Sequence, residues 1–467
     1  MNILHASFEC YPVAKVGGLA DVVGTLPSYQ NTLEVNSTVI MPYYDNGFDT
    51  EIFDIIFKGS IKLDTSIHEY IIYSTHINKT RILCCYVKGL LDTSKVYGYE
   101  YDLYRYLIFQ LVVLDFILNN NDFDVIHCHD HHTALIPFLI NNSYAYSSLN
   151  KVSTVLTIHN AQYQGQFSHD FIKLLPEFDF TKVGLLDWYG NVNPLAAGIK
   201  CANAVTTVSP SYMSELINEA NGLEGLLQSE SYKCKGILNG IDVDFWNPST
   251  DSMIFKNYKV SNVISGKKGN KKEVCAKYGL DVSKPLFGFI GRLVGEKAAD
   301  LLPEAIRTIL SSNLNINFLV LGSGQESIEN DLIALKNEFP HNFNTHIGYD
   351  EKLSHWVYAA SDFLLMPSRV EPCGLNQMYS LRYGTIPIVR RTGGLKDTVI
   401  DIGDGGFGIC HDKASVWDIE YSVNRALALY ENKELYRKIQ KEIMKIDHSW
   451  TKSAQEYINL YKSITTS

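Results

Sequence analysis

NILHASFECYPVAKVGGLADVVGTLPSYQ, residues 2–30, is the stretch whose reading decides the fold. Residues 2–6 read as a short apolar strand, and residues 19–29 carry the apolar spacing of a helix. Between them lies Lys15-Val16-Gly17-Gly18-Leu19-Ala20-Asp21, a glycine pair that follows a strand and opens a helix. Paired glycines let a backbone approach a ligand closely, and a helix N-terminus offers free N–H groups and partial positive charge to an anion. Lys15 adds a full charge. The loop is neither GxGxxG nor a P-loop, so dinucleotide and NTP readings lose support. Standing alone, it also fits an ordinary strand-to-helix turn.

Outward from this stretch the alternation continues. Strands are expected over 35–41, 124–127, 153–159 and 204–208, helices over 101–118 and 195–202, and an inserted hairpin over 71–87. Alternating strands and helices imply a parallel sheet covered on both faces. Asn239-Gly240-Ile241-Asp242 is a turn signal, and 245–269 is polar, irregular and rich in Asn, Ser and Lys. That region reads as a domain junction. Strands are then expected over 286–290, 317–321, 363–366 and 386–389, with helices between them. The reading is therefore α/β, with two doubly wound Rossmann-like domains: 1–243, a linker 244–268, 269–448, and a final helix 449–467. Ligands on such sheets bind beyond the carboxyl ends of the strands, and the expected place is a cleft between the halves.

A chain of 467 residues suits two domains, each of roughly 200 residues. A net charge of −10 without a Lys/Arg block argues against nucleic acid or anionic membrane as a partner. The densest basic run, Lys267, Lys268, Lys271 and Lys272, reads as a solvated loop and helix start. No stretch approaches the roughly 20 apolar residues of a membrane span. The N-terminus lacks the basic start and apolar core of a signal peptide, so a cytoplasmic location is expected. Nine cysteines without framework spacing point to reduced thiols; the adjacent Cys84 and Cys85 suit a buried strand.

Other stretches carry chemistry. His127-Cys128-His129-Asp130-His131-His132 ends a strand and offers several metal ligands. Neighbouring residues on a strand point to opposite faces, so these side chains cannot all converge on one ion. The better reading is a strand end whose Asp130 and one or two histidines enter the cleft. Thr157-Ile158-His159-Asn160 puts another histidine at a strand's carboxyl end, where it is either structural or faces a ligand. Ile290-Gly291-Arg292-Leu293 ends a strand, with Lys297 five residues after the arginine. A guanidinium fork and an ammonium there would stabilise a departing nucleoside diphosphate without a metal; standing alone, they also fit a surface pair on a loop. In Pro367-Ser368-Arg369-Val370-Glu371-Pro372-Cys373-Gly374-Leu375, Glu371 suits sugar hydroxyls or developing positive charge. Gly374 and Leu375 would turn N–H groups toward phosphates. Nothing makes Cys373 a nucleophile, and Gly322-Ser323-Gly324 reads as a turn.

Together these motifs resemble the bacterial glycogen synthase and plant starch synthase family. The matches are the Lys-x-Gly-Gly-Leu-Ala-Asp-Val loop at Lys15, His-x-His-Asp-x-His at His127, Thr-x-His-Asn at Thr157, the stretches 206–210 and 236–242, Arg-Leu-x-x-x-Lys at Arg292, and the Glu371 segment. The closing Ser449-Trp450-Thr451 matches as well. The resemblance runs from Glu9 to about Tyr461 and implies the GT-B architecture, with the last helix crossing back to the first domain. It implies retaining transfer of glucose from ADP-glucose to the end of an α-1,4-glucan such as glycogen, with no cofactor and no metal.

Residue by residue, it implies that Lys15 and Gly18 face the donor phosphates and that Asp21 supports their loop. Glu9 would face acceptor or sugar. His159 would contact the transferred sugar, Asp130 would line the site, and Asn239 would lie near the donor. Arg292 and Lys297 would receive the diphosphate, and Glu371 would be the essential carboxylate. Tyr349 would stack on adenine. Cys373, Gly374, Leu375 and Asn376, with Thr392, Gly393 and Gly394, would lie along the donor. Ala298 stands where the family usually has Gly, and Asn376 where Thr is common. Tyr379 stands where sucrose-synthase-like relatives carry a second Glu, which favours this branch. The rivals are a UDP-glucose-using or different-acceptor transferase and a catalytically silent glucan-binding protein.

Overall fold

Two sheets organise the chain. The computed structural model describes residues 1–45, 53–120, 122–312 and 315–465. It divides into one unit of Met1–Asn239 with Trp450–Ser467, and a second of Gly240–Ser449.

In the first unit the elements run β1 (Asn2–Ala6), α1 (Gly18–Asn31), β2 (Asn36–Pro42), β3 (Asp54–Leu63), β4 (Ser66–Ile77), β5 (Thr80–Tyr86), α2 (Asp102–Asn119), β6 (Val125–His129), α3 (Ile136–Asn142) and β7 (Ser153–Ile158). A short ribbon of β8 (Asp187–Trp188) and β9 (Asn191–Val192) follows, then α4 (Pro194–Cys201), β10 (Ala204–Thr207), α5 (Pro210–Asn218), α6 (Glu224–Ser229) and β11 (Cys234–Gly236). The sheet order is β11-β10-β7-β6-β1-β2-β5-β4-β3. It is parallel from β11 to β5 and antiparallel across β5-β4-β3. The expected hairpin over 71–87 is thus the β4–β5 pair of a three-stranded edge whose outer strand, β3, went unread. Cys84 and Cys85 are buried in β5.

The second unit contains α7 (Val263–Tyr278), β12 (Leu286–Ile290), α8 (Leu302–Ser312), β13 (Asn317–Gly322), α9 (Glu326–Glu338), β14 (Phe343–Ile347), α10 (Glu351–Ala360), β15 (Phe363–Met366), α11 (Asn376–Arg382), β16 (Ile386–Arg390), α12 (Gly393–Thr398), β17 (Ile409–His411), α13 (Val416–Glu431) and α14 (Lys433–Ile443). Its six strands, in the order β14-β13-β12-β15-β16-β17, are all parallel. The apolar runs of these strands are buried on both faces, as helix-covered parallel sheets require.

Helix α15 (Trp450–Thr465) belongs to the first unit. Its Trp450, Ala454, Tyr457, Ile458 and Tyr461 share a core with Ile3, Val22, Leu26, Val125 and Val155.

Segment 244–268 packs within the second unit. Trp246 stacks on His355 and Tyr379, with centroids 4.1 and 3.9 Å away. Asp251 accepts from the Tyr383 hydroxyl at 2.6 Å and pairs with His355 Nδ1 at 2.7 Å. The Asn270 carboxamide oxygen accepts from the backbone N–H groups of Phe255 and Lys256.

The basic run is not a solvated face throughout. Lys267 and Lys271, one helical turn apart, are buried, whereas Lys268 and Lys272 are exposed. Lys267 Nζ donates to the carbonyls of Tyr358 and Ala359 at the end of α10, to that of Tyr383 just past α11, and to Thr385 Oγ1. Helix C-termini leave such carbonyls unpaired and carry partial negative charge, so an ammonium there replaces water. Lys271 Nζ lies 2.7 Å from the buried Asp362 carboxylate.

Candidate active site

In a doubly wound sheet the crevice opens where successive connections leave a strand in opposite directions. In the first sheet that point lies between β1 and β6, and the loops after these strands carry several of the expected residues. Glu9 is buried and fully engaged. One carboxylate oxygen accepts from Val16 N and Gly17 N at 2.6 and 2.9 Å; the other accepts from the Tyr97 hydroxyl at 2.8 Å. Glu9 thus holds the glycine loop, and Tyr97 is a partner that sequence reasoning missed. Lys15 Nζ lies 2.7 Å from Asp21, which ties the loop to the first turn of α1. A Cβ added at Gly17 or Gly18 would meet no atom within 4 Å. Gly17 has φ −140°, open to any residue. Neither packing nor this backbone angle explains the glycine pair.

Asp130 follows β6 in the left-handed region, at φ 56°, a conformation costly for a non-glycine residue. Its Oδ1 accepts from His159 N at 2.7 Å and Asn160 N at 3.5 Å, joining the ends of β6 and β7. Burial pushes its carboxyl up to about 7, against the pull of those two N–H groups and with some help from Glu9. Burial pushes the His159 imidazole down to about 3, so it is neutral at physiological pH. Its Nε2 lies 2.9 Å from His129 Nδ1. Asn239 is buried, and its side-chain oxygen has no hydrogen-bond partner among the described residues.

The six-residue histidine stretch separates as strand geometry requires, yet His127 and His129 do share a face, and His5 of β1 joins them. His5 is in register with His127. One ligand atom from each of these three rings lies within 4.8 Å of the others. His5 was missed because its neighbours in the sheet are distant in sequence.

In the second sheet the switch point lies between β12 and β15. The loop after β12 carries Arg292 and Lys297, and the loop after β15 carries Glu371. Lys297 Nζ is 2.7 Å from Glu371 Oε1, and Ser368 donates to Glu371 Oε2 at 2.8 Å. Arg292, about half exposed, pairs with Glu296 at 2.8 Å. The two loops are sewn together: Arg369 N and Val370 N both donate to the Glu296 carbonyl, and Arg369 also reaches Asp300. Ala298 sits at φ 52°, fully buried, which accounts for glycine being the usual residue there.

The neighbouring glycines are packing requirements. A Cβ at Gly393 would lie 2.0 Å from the Glu371 carbonyl oxygen, and one at Gly394 would lie 2.1 Å from that of Cys373. Thr392 precedes them at the N-cap of α12, buried. Gly322 and Gly324, read as a simple turn, back the arginine loop in the same way against Gly291 and Leu293. Cys373 is buried, Gly374 has φ 71°, and Leu375 is the N-cap of α11. Asn376 donates to the Ile290 carbonyl at 2.8 Å, closing the end of β12. Tyr349, just past β14, is three-quarters exposed.

Two doubly wound sheets with polar groups gathered at their switch points, and a final helix returning to the first, define a GT-B glycosyltransferase. Residues 2–229 match the family model for the starch synthase catalytic domain, and residues 258–445 match that for glycosyl transferases group 1. The chain is 52% identical to a glycogen synthase of Flavobacterium johnsoniae over 99% of both chains. It is 40% identical to one of Thermosipho melanesiensis over 99% of this chain and 98% of that one. Among solved structures, the catalytic domain of starch synthase IV from Arabidopsis thaliana, bound to ADP and acarbose, superposes with a TM-score of 0.91 at 32% identity, over 100% of this chain and 99% of that one. The chain belongs to the glycogen/starch synthase family and is a glucosyltransferase. Among the described residues, no helix is long and apolar enough to cross a membrane.

Proposed function

We propose that this enzyme extends an α-1,4-glucan by transferring glucose from ADP-glucose, with retention, releasing ADP. The observation that carries the residue roles is the Lys297–Glu371 pair, 2.7 Å apart at the second switch point, with Arg292 on the same loop as Lys297 and paired to Glu296. A departing nucleoside diphosphate gains negative charge as the glycosidic bond breaks. Lys297 and Arg292 meet that charge, and each such contact is worth on the order of 3 kcal/mol. Glu371, buried and held by Ser368, stabilises the positive charge that develops on the sugar. Lys297 neutralises Glu371 before substrate arrives, so the buried carboxylate is never unpaired.

In the first unit, Gly17 and Gly18 leave open backbone beside Lys15, which supports a role in receiving phosphate. His159 and Asp130 hold the sugar, with His159 neutral and so a hydrogen-bonding group without charge. The acceptor 4-hydroxyl attacks from the leaving-group face, and the departing phosphate takes its proton. Tyr349 supplies a ring for the adenine. The glycogen synthase and ADP-bound starch synthase relatives support this choice of donor and acceptor.

The test is transfer of labelled glucose from ADP-glucose and, separately, UDP-glucose onto glycogen, with EDTA present. ADP-glucose is expected to be the better donor. Glu371→Ala and Lys297→Ala are each expected to lose about 100-fold or more in turnover. Equal use of UDP-glucose would overturn the donor assignment, and undiminished transfer by Glu371→Ala would overturn the role of the carboxylate.

A further inference from the structure

Beneath the β1–β6 crevice lies a continuous line of buried polar side chains. His159 Nε2 is 2.9 Å from His129 Nδ1. His129 Nε2 is 3.1 Å from His5 Nδ1, and His5 Nε2 is 2.8 Å from Gln30 Oε1. The same Gln30 oxygen accepts from Ser37 Oγ at 2.7 Å, while Gln30 Nε2 donates to the Tyr461 hydroxyl at 3.1 Å. That hydroxyl is 2.7 Å from His127 Nδ1, and His127 Nε2 is 2.6 Å from Thr157 Oγ1. Each ring nitrogen of His5, His127 and His129 therefore has a hydrogen-bond partner. The trio's closeness is accounted for without an ion between the rings.

A neutral imidazole carries one N–H and one lone pair, so a chain of such rings has a direction. Burial lowers His5 to about 4 and His127 and His129 well below the usual value, which keeps the rings neutral. Gln30 is oriented with its carbonyl oxygen toward His5 and Ser37 and its amide nitrogen toward the Tyr461 hydroxyl, and in that orientation it gives the chain its direction. His5 must then donate from Nε2 and accept at Nδ1. His129 donates to it from Nε2 and accepts at its own Nδ1. His159 donates to that atom from Nε2, which leaves its Nδ1 as a lone pair. That nitrogen has no hydrogen bond to another described residue.

We infer that His129, His5 and Gln30 are positioning residues that fix His159 as the Nε2–H tautomer, presenting Nδ1 as an acceptor to a hydroxyl of the transferred sugar. The inference rests on the proposed contact of His159 with that sugar. A sugar hydroxyl donating to His159 Nδ1 is held in one orientation, whereas the opposite tautomer would offer it an N–H and reverse the pairing. Tyr461 brings α15 into the same network, so the last helix braces Gln30 from the side opposite His5.

The experiment is a long-range proton–nitrogen correlation spectrum of the full-length protein labelled with nitrogen-15 at histidine, with His159 assigned by its loss in His159→Gln. The wild-type protein is expected to show His159 as the Nε2–H tautomer, unchanged from pH 6 to pH 8. Gln30→Met removes the amide at near-constant volume, and His5→Phe removes a ring one step further along. Each is expected to leave His159 as a mixture of tautomers and to lower kcat about tenfold, with KM for glycogen unchanged. A wild-type His159 in the Nδ1–H form would overturn the inference, and this result needs no variant to fold. So would a tautomer that stays fixed in both variants, or one zinc ion co-purifying per chain and lost in His5→Phe. If the tautomer behaves as expected but His159→Gln transfers glucose at the wild-type rate, the sugar contact fails and the positioning chain stands.

Discussion

Single residues carry separable tasks. The glycine pair at 17–18 meets no neighbouring side chain, so Gly18→Ala is expected to fold normally. At the first position of α1 the exchange should change stability by less than about 0.5 kcal/mol. Its cost should fall on the donor, with KM for ADP-glucose rising about tenfold as a methyl enters the space proposed for phosphate. Donor titration beside a thermal melt reads both effects, and a variant with unchanged KM would remove the loop from the binding site.

Asp130 makes the opposite kind of prediction. Its carboxyl ordinarily titrates near 3.8 and is raised to about 7 in the fold. The folded protein therefore holds the proton more tightly than the unfolded chain. The associated stabilisation is fully present below the unfolded value and is lost as pH rises through about 7, by up to about 4 kcal/mol. Asp130→Asn avoids that ionisation. Its melting temperature should climb relative to wild type between pH 5 and pH 8, and a difference independent of pH would contradict the shift.

At the scale of elements, α7 shows how a charge run can divide. Lys267 and Lys271 face inward and Lys268 and Lys272 outward, so alanine at the inward pair and at the outward pair should differ sharply. Lys271→Ala removes the cation paired with the buried Asp362, leaving it Leu286 N and the Tyr436 hydroxyl, and should cost about 3 kcal/mol. Lys268→Ala and Lys272→Ala should each change stability by less than about 0.5 kcal/mol. Denaturant melts of the three variants check this.

The division was legible in principle from the i, i+4 spacing of Lys267 and Lys271 in line with Val263 and Val274. The polar run around it masked it, because the lysines' partners, helix-end carbonyls for Lys267 and Asp362 for Lys271, lie roughly a hundred residues away. The strand-ending motifs at Lys15, Asp130, His159, Arg292 and Glu371 were readable because each is a local strand–loop–helix pattern. What sequence alone did not reveal is pairing across distance: Tyr97 on Glu9, His5 beside His127, and the glycine pairs at 322–324 and 393–394 seated against the two site loops. Those depend on strand order, which neighbouring residues do not encode.

At the scale of the whole molecule the two units are built differently. The second is one continuous stretch, 240–449, whereas the first closes its core only with α15. Residues 240–449 expressed alone should melt cooperatively. Residues 1–239 alone should not, until a peptide of 450–465 is added in trans; circular dichroism melts of the two fragments check this. Trp450→Ala in the full chain should cost about 3–5 kcal/mol as a buried aromatic is lost.

The returning helix has a further consequence for synthesis. As the polypeptide leaves the ribosome, the first unit is begun first and finished last, and the second can be complete while the first still lacks Trp450, Tyr457 and Tyr461. Throughout that interval the β1–β6 face is uncovered, and Gln30 and His127 wait for the hydroxyl that bridges them. A nascent chain therefore closes the core of its first unit only once α15 has emerged, long after the strands it covers.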